Sequence, residues 1–205
     1  MSDTSNQLLI GTHNVGKANE IASVLSALKV TFLNLRDVGI VDAVHEDGAT
    51  YEQNAVLKAE AYARQSGLLT LADDSGLEVD ALNGAPGVIS ASYAGKGASD
   101  LERINFLLRQ LEQVPLLDRG ARFVSVVAVA DGVRGLIGTA TGICEGKMIH
   151  SPRGSNGFGY DPIFVPEGYR LTFGEMPPAD KHAMSHRARA FAKFVAAVIA
   201  PGAEQ

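Results

Sequence analysis

A mixed α/β fold, with a β-sheet flanked by helices, is the fold class that the sequence predicts. Short apolar runs alternate with amphipathic stretches over the first half of the chain. Two long β-prone runs flank a hairpin turn signal in the second half. Alternating strands and helices favour parallel pairing, whereas a tight hairpin requires antiparallel pairing, so the sheet is expected to be mixed.

The first half of the chain is predicted to alternate strands and helices. The amphipathic helix has Ile21, Leu25 and Leu28 on one face, and the next helix opens with a capping box. In order, we expect a strand over 7–12, a helix over 16–29, a strand over 30–35, a helix from Thr50-Tyr51-Glu52-Gln53 to about 66, and a strand over 68–72 that ends in Asp73-Asp74-Ser75-Gly76.

The second half begins with another capping box, Ser99-Asp100-Leu101-Glu102, which opens a helix. Its apolar positions recur at helical spacing. Asp131-Gly132 is a hairpin turn signal between the two β-prone runs. We therefore expect a helix carrying Ile104, Leu107, Leu108 and Leu111, strands over 121–130 and 133–144, a Gly/Pro-rich loop over 151–162, a final helix over about 185–200, and a single domain over 1–205.

Composition excludes several classes of partner. The chain has 205 residues and a formal charge of −5, which argues against nucleic acid or an anionic membrane as its main partner. The polar N-terminus does not match a signal peptide, and no run approaches the ~20 apolar residues of a membrane span. Cys144 is the single cysteine, which fits a reducing cytoplasm, and its strand-like surroundings predict a buried small apolar residue.

The turn after the first strand is predicted to bind a polyphosphate. An apolar strand leads into Gly11-Thr12-His13-Asn14-Val15-Gly16-Lys17 and then a helix. This arrangement directs backbone N–H groups and an ammonium group at one spot. The spacing nearly matches a P-loop, but Ala18 stands where the hydroxyl that helps to hold Mg²⁺ is required. A related anion site with a different metal arrangement is therefore expected.

Acidic residues supply candidate metal ligands. Mg²⁺ prefers carboxylate, phosphate and water oxygens. The apolar run before Asp73-Asp74 gives these carboxylates a fixed position, whereas Glu46-Asp47 alone is better interpreted as a solvated turn. Asn54 and Lys58 share a helix face, so Lys58 could neutralise phosphate charge, although most helix-surface lysines are only solvated.

Two further segments favour ligand binding. Glycines around Phe158 and Tyr160 permit close backbone approach, and an exposed Phe158 would offer a stacking surface to a base. Tyr160 is also compatible with a core aromatic. Zinc is not favoured at His182 and His186, because Ala183 replaces the glutamate of such sites. We interpret Ser185 as an N-cap followed by His186 and Arg187, and an arginine at that position requires a compensating anionic or electron-rich group.

Taken together, these segments resemble the inosine triphosphate pyrophosphatases, also called noncanonical purine nucleoside triphosphate pyrophosphatases. The similarity runs from residue 12 to residue 187 in the family's order. The matching stretches are Thr12 to Lys17, Glu46 with Asn54-Ala55 and Lys58-Ala59, Ala72-Asp73-Asp74-Ser75-Gly76-Leu77, Gly84-Ala85-Pro86-Gly87, Phe158-Gly159-Tyr160-Asp161 and Ser185-His186-Arg187.

The resemblance implies a long central mixed sheet, two lobes with an active-site cleft between them, and a homodimer. It also implies Mg²⁺-dependent hydrolysis of ITP, dITP and XTP to the monophosphate and pyrophosphate in the cytoplasm. By this resemblance, Glu46 and Asp74 hold Mg²⁺, and Asp74 and Lys17 are catalytic, with Asp74 as the base for water. The implied substrate-binding residues are Thr12, His13, Asn14, Val15, Gly16, Lys17, Lys58, Ser75, Phe158, Gly159, Tyr160, Asp161, Lys181, His186 and Arg187.

This chain departs from the family pattern at two positions. His45 stands beside Glu46, where many bacterial members carry a second glutamate, and His13 replaces a common glycine or serine. Two alternatives also stay open. One is a P-loop phosphotransferase or nucleotide switch, with 68–73 as its Walker B strand, and the other is a nucleotide-binding module without catalysis. Pyrophosphate as the product would distinguish the hydrolase from both.

Overall fold

The computed structural model describes residues 6–26 and 28–198. Within them, the helices and strands are β1 (Gln7–Ile10), α1 (Val15–Val24), β2 (Thr31–Asn34), α2 (Tyr51–Ser66), β3 (Thr70–Val79), α3 (Asp100–Gln110), β4 (Gly120–Asp131), β5 (Gly135–Met148), β6 (Phe164–Pro166), α4 (Pro178–Met184) and α5 (His186–Val198).

The described strands form one six-stranded sheet in the order β2-β1-β3-β4-β5-β6. β1 pairs in parallel with both β2 and β3, and β6 pairs antiparallel with β5. In the register of β1 and β3, Leu9 faces Thr70 and Ile10 faces Leu71. The predicted mixed α/β sheet with flanking helices is confirmed.

The contacts divide the chain into two compact units. The first comprises the described residues up to Asp74, Ser125–Gly142 and those from Arg187 onward. Two apolar clusters form its core: one includes Leu8, Ile10, Ile21, Leu71 and Phe191, and the other includes Leu9, Leu35, Ile40 and Tyr62.

The second unit comprises Ser75–Val124 and Ile143–His186, and it has its own core. That core includes Leu77, Leu107, Phe123, Phe164 and Phe173. Cys144 is buried in it, as predicted. The single domain over 1–205 stays a prediction.

Local signals explain several helix ends. Thr50 accepts a hydrogen bond from the Gln53 N–H, and the Ser99–Glu102 capping box is complete. The Gln53 side chain, however, accepts from the Ala49 N–H, one residue before the cap. The turn after β4 also forms as predicted, since Asp131 Oδ1 accepts the N–H groups of Val133 and Arg134.

Several elements differ from the prediction. β5 ends at Met148 rather than at residue 144, and β6 lies where no strand was predicted. α1 ends at Val24 rather than near residue 29. No element was predicted where α4 lies. The final helix, predicted from about residue 185, forms as α5 from His186. Its predicted end near residue 200 lies outside the described residues. β3 does not end at Asp73, as predicted, but continues to Val79.

Among the described residues, no helix combines the length and the apolar character that a membrane crossing requires.

Candidate active site

The turn that was predicted to bind phosphate forms the N-terminus of α1. Asn14 is the N-cap, and its Oδ1 accepts the Lys17 N–H at 3.0 Å. Thr12 Oγ1 accepts the Asn14 N–H at 3.2 Å, which tightens the turn before the helix. His13, Asn14 and Val15 are exposed. Together with Gly16, these residues present a helix N-terminus to solvent, an arrangement that favours an anion.

One buried carboxylate, Asp73, gathers two cations. Lys17 Nζ lies 3.5 Å from Asp73 Oδ1, and Arg187 Nε donates to Asp73 Oδ2 at 3.2 Å. Arg187 Nη1 also donates to Glu20 Oε2 at 2.6 Å. The predicted anionic compensation of Arg187 is therefore supplied by Glu20 and Asp73.

Burial lowers the pKa of Lys17, and this effect is opposed by Asp73. The nearby charges of Lys58 and Arg187 lower the pKa of Lys17 further. Arg187 is also paired with Glu20, so two carboxylates face the two cations of this group. The pKa of Lys17 is lowered on balance because burial outweighs the attraction of Asp73.

The next carboxylate, Asp74, contacts a different set of side chains. Lys58 Nζ lies 3.2 Å from Asp74 Oδ1, and Asn54 Nδ2 donates to Asp74 Oδ2 at 3.3 Å. Successive side chains of a strand point to opposite faces, so the continuation of β3 through this pair separates Asp73 from Asp74. Burial raises the pKa of Asp74, whereas the charges of Lys58 and Lys17 lower it.

Lys58 also binds Glu46, the other predicted metal ligand. Its Nζ lies 2.5 Å from Glu46 Oε2, and the Glu46 side chain is 42% exposed. Burial lowers the pKa of Lys58, but the Asp74 and Glu46 carboxylates more than offset this, and the net pKa is raised. One ammonium group therefore brings both predicted ligands together.

Asn54 fastens the loop that carries Glu46. While its Nδ2 donates to Asp74, its Oδ1 accepts the Gly48 N–H at 2.8 Å. A Cβ at Gly48 would lie 2.6 Å from Asn54 Oδ1, so glycine permits this approach. Glu20 was not singled out in the sequence, whereas Asp73 and Asn54 were noted beside Asp74 and Lys58 but were given no individual role. For Asn54 a signal existed, because it lies one helical turn before Lys58.

The donor chemistry at Glu46 and Asp74 fits Mg²⁺. Mg²⁺ is usually held by one or two carboxylates, with substrate phosphates and water completing the shell. Within the described ranges, no cluster of three or more His, Cys, Asp or Glu side chains forms a complete metal cage. Two carboxylate ligands would leave the other positions of such a shell to phosphate and water oxygens.

In the second unit, the predicted aromatic loop is held by a buried ion pair. Lys181 Nζ lies 2.5 Å from Asp161 Oδ2, and both side chains are 3% exposed. Asp161 Oδ2 also accepts the Phe158 N–H at 2.8 Å. The Lys181 ammonium lies 5.3 Å from the ring centroids of both Phe158 and Phe173. Phe158, Asp161 and Lys181 are thus brought together.

The other predicted residues of this unit have more varied surroundings. Tyr160 is 4% exposed in the core, burial raises its pKa, and its hydroxyl donates to the Ser90 carbonyl at 3.0 Å. The Gly159 N–H donates to Asp100. His186 is buried and stacks on Phe123, with ring centroids 4.8 Å apart. Ser75 lies half-buried in β3.

Comparison with known proteins places the chain in a family. The sequence profile of the Ham1 family matches residues 8–197. A dITP/XTP pyrophosphatase of Caulobacter vibrioides is 47% identical over 192 residues, covering 94% of this chain and 97% of that protein. A dITP/XTP pyrophosphatase of Bacillus cereus is 41% identical over 194 residues, covering 94% of each chain.

Solved structures agree with these sequence matches. A HAM1 protein from Coxiella burnetii is 38% identical, with a TM-score of 0.83, over 95% of this chain and 98% of that one. A nucleoside-triphosphatase, dITP/XTP pyrophosphatase, from Mycobacterium abscessus is 41% identical, with a TM-score of 0.72, over 92% of this chain and 98% of that one. The chain belongs to the Ham1 family.

Proposed function

We propose that this protein is a nucleoside triphosphate pyrophosphatase that converts dITP, XTP and ITP to the monophosphate and pyrophosphate. The names of its relatives support dITP and XTP, and the sequence resemblance adds ITP. The observation that carries the proposal is the Lys58 ammonium bound to both Glu46 and Asp74 in the unit that also presents Lys17 and the α1 N-terminus.

Phosphate binding is assigned to the start of α1. A nucleoside triphosphate carries about four negative charges, and the leaving pyrophosphate gains charge as the α–β bridging bond breaks. The N–H groups at the start of α1, together with Lys17, would bind these oxygens. Thr12 to Gly16 shape the turn, and Lys58 adds a second ammonium group.

Water activation is assigned to Asp74. A carboxylate within reach of a water can accept its proton as the oxygen attacks the α-phosphorus. Lys58 and Asn54 hold Asp74 from two sides, which fixes the direction of its oxygens. The proton would move to Asp74, and the electrons of the broken bond would leave with pyrophosphate.

Mg²⁺ is proposed as the cofactor, with Glu46 and Asp74 as its protein ligands. When bound, Mg²⁺ supplies charge neutralisation to the phosphate oxygens. In this assignment, Lys58 keeps the two carboxylates together until phosphate and metal arrive. His45 is exposed beside Glu46, and we do not assign it as a ligand.

Base recognition is proposed for Phe158, Lys181, His186 and Arg187. Stacking on Phe158 is worth about 1–3 kcal/mol and does not depend on base identity. Donor groups would favour the C6 keto oxygen of hypoxanthine and xanthine over the amino group of adenine.

We also propose, from the family resemblance, that the protein is cytoplasmic and forms a homodimer. Light scattering on the purified chain would test whether it is a dimer.

A panel of nucleoside triphosphates tests the function. Purified protein with Mg²⁺ should release pyrophosphate from dITP, XTP and ITP at a kcat/KM well above that for ATP, because adenine lacks the C6 keto oxygen. Assays for pyrophosphate and orthophosphate are run in parallel on each reaction. Orthophosphate release would instead support a P-loop enzyme, and binding without turnover would support a nucleotide-binding module.

A further inference from the structure

The segment that carries Phe158 is fastened to a helix that is distant in sequence. The Gly159 N–H donates a 2.7 Å hydrogen bond to Asp100 Oδ2, across 59 residues of chain. Asp100 is the first residue of α3 and belongs, with Gly159, to the second unit. Nothing in the sequence pattern indicated this contact, since Asp100 was interpreted only as part of a capping box.

Asp100 is itself held in place by Arg103. The Arg103 Nη2 donates to Asp100 Oδ1, while its Nη1 donates to the carbonyls of Ala91 and Ala98 at 2.8 and 2.7 Å. One oxygen of the Asp100 carboxylate therefore binds Gly159, while the other is bound by an arginine that two backbone carbonyls hold in place. A carboxylate that served only the helix dipole would need no such orientation.

The backbone around Phe158 is held in its conformation by hydrogen bonds to acidic side chains. Gly157 and Gly159 have φ values of +74° and +61°, which a glycine adopts without strain but does not maintain by itself. Two acidic side chains supply the constraint: Asp161 accepts the N–H of Phe158, and Asp100 accepts the N–H of the following residue. The backbone N–H groups of Phe158 and Gly159, one on each side of the residue that carries the ring, are thus each bound by an acidic side chain.

We infer that Asp100 is a positioning residue for Phe158, setting the orientation of the ring on which the substrate base stacks. The inference rests on the proposed function, because it takes Phe158 as the stacking group. Asp100 contributes nothing to the chemical step in this assignment. Its loss should therefore weaken the binding of every nucleotide to a similar degree while leaving kcat nearly unchanged.

A double-mutant cycle tests the inference. Asp100→Ala should raise KM for XTP and dITP about fivefold or more with little change in kcat, the lower end of the loss expected for a stacking group. Phe158→Ala should raise KM at least as much. The double variant should be no worse than Phe158→Ala alone, because Asp100 acts through that ring.

Ser99→Ala is the matched control. It removes the N-cap of the same helix and leaves the Asp100–Gly159 bond intact, so KM should stay within about twofold of the parent. Asp100→Asn keeps an acceptor oxygen for Gly159 and should raise KM less than Asp100→Ala. Additive effects of Asp100→Ala and Phe158→Ala, or an equal KM increase in Ser99→Ala, would overturn the inference.

Amide hydrogen exchange gives a readout that is independent of activity. Exchange at Gly159 should accelerate at least tenfold in Asp100→Ala and remain unchanged in Ser99→Ala. Unchanged exchange at Gly159 in Asp100→Ala would contradict the inference. A third outcome is faster exchange at Gly159 in Asp100→Ala together with an unchanged KM in Phe158→Ala. That result would show that the stacking role of Phe158, and with it that part of the proposed function, is wrong.

Discussion

Asp73 and Asp74 are adjacent in β3, yet they bind different cations. Asp73 contacts Lys17 and Arg187, whereas Asp74 contacts Lys58 and the amide of Asn54. Their side chains leave a continuous strand on opposite faces, which is why two like charges are tolerated side by side. The two acids should therefore respond differently to the same substitution.

Asp74→Asn should abolish most turnover while the fold remains intact. The amide is nearly isosteric but can neither accept the proton of water nor neutralise Mg²⁺, and loss of the base alone costs about 10²–10⁴ in rate. Pyrophosphate release from XTP measures the loss, and thermal unfolding followed by circular dichroism is the control. A variant with most of the parent activity would remove Asp74 from the mechanism.

Asp73→Asn should act mainly on stability. The substitution leaves Lys17 and Arg187 without the negative charge they share, in a site where Asp73 is fully buried. Breaking a buried ion pair costs about 3–5 kcal/mol. Urea denaturation of the two asparagine variants compares them directly, and an Asp74→Asn variant that is destabilised as much as Asp73→Asn would contradict the distinction.

Asn54→Leu should raise the Mg²⁺ concentration needed for half-maximal activity. Its side chain joins Asp74 to the Glu46 loop, so its removal takes away one of the links between the two proposed ligands and loosens their relative position. The matched control is Gln53→Leu, which loses a bond to the same loop at Ala49. Titration of Mg²⁺ binding by calorimetry in the presence of pyrophosphate should show weaker binding for Asn54→Leu only. Equal behaviour of the two variants would show that loop anchoring alone matters.

Ala18→Ser should not create a P-loop enzyme. Ala18 packs against the apolar cluster that contains Leu8 and Ile21, so a hydroxyl there would face side chains rather than a metal. We expect no release of orthophosphate from the γ position and a stability loss of about 1 kcal/mol. Gain of γ-phosphate release in this variant would restore the P-loop alternative.

The β4–β5 turn should show acid-dependent stability. Two backbone N–H groups, from Arg134 and Val133, hold the pKa of Asp131 below its usual value. The folded pKa is lower than the unfolded one, so this stabilisation is present above about pH 3.8 and is lost as the pH falls through the folded pKa. Carboxyl titration by NMR should find a low midpoint for Asp131, and Asp131→Asn should flatten the acid limb of stability. A midpoint at or above the ordinary value would contradict this.

Local sequence signals were sufficient to predict those helix ends and turns that are fixed by hydrogen bonds between residues close together in the chain. The Ser99–Glu102 box and the Asp131 turn formed as expected because each depends on groups within three residues. The start of α4 carried a signal too, since Pro178 stands at its first position, where proline is favoured.

The course of β3 could not be predicted in the same way. Two adjacent carboxylates suggested a strand end, because buried charges are costly. Their neutralising partners come from positions as far away as Arg187, which no local window contains. The same limit explains why Asp100 was interpreted only as part of a helix start. Partnerships between residues far apart in sequence define this site, and they become visible only in the fold.

The pairing of β3 with β1 places a constraint on how the chain can change through evolution. Leu71 is fixed opposite Ile10, and Asp73 and Asp74 follow two and three residues later. Because strand faces alternate, inserting or deleting one residue between Leu71 and Asp73 would exchange the cations that the two acids meet, although every catalytic side chain would still be present. Short insertions at this point of the chain should therefore be as damaging to activity as substitution of the acids themselves.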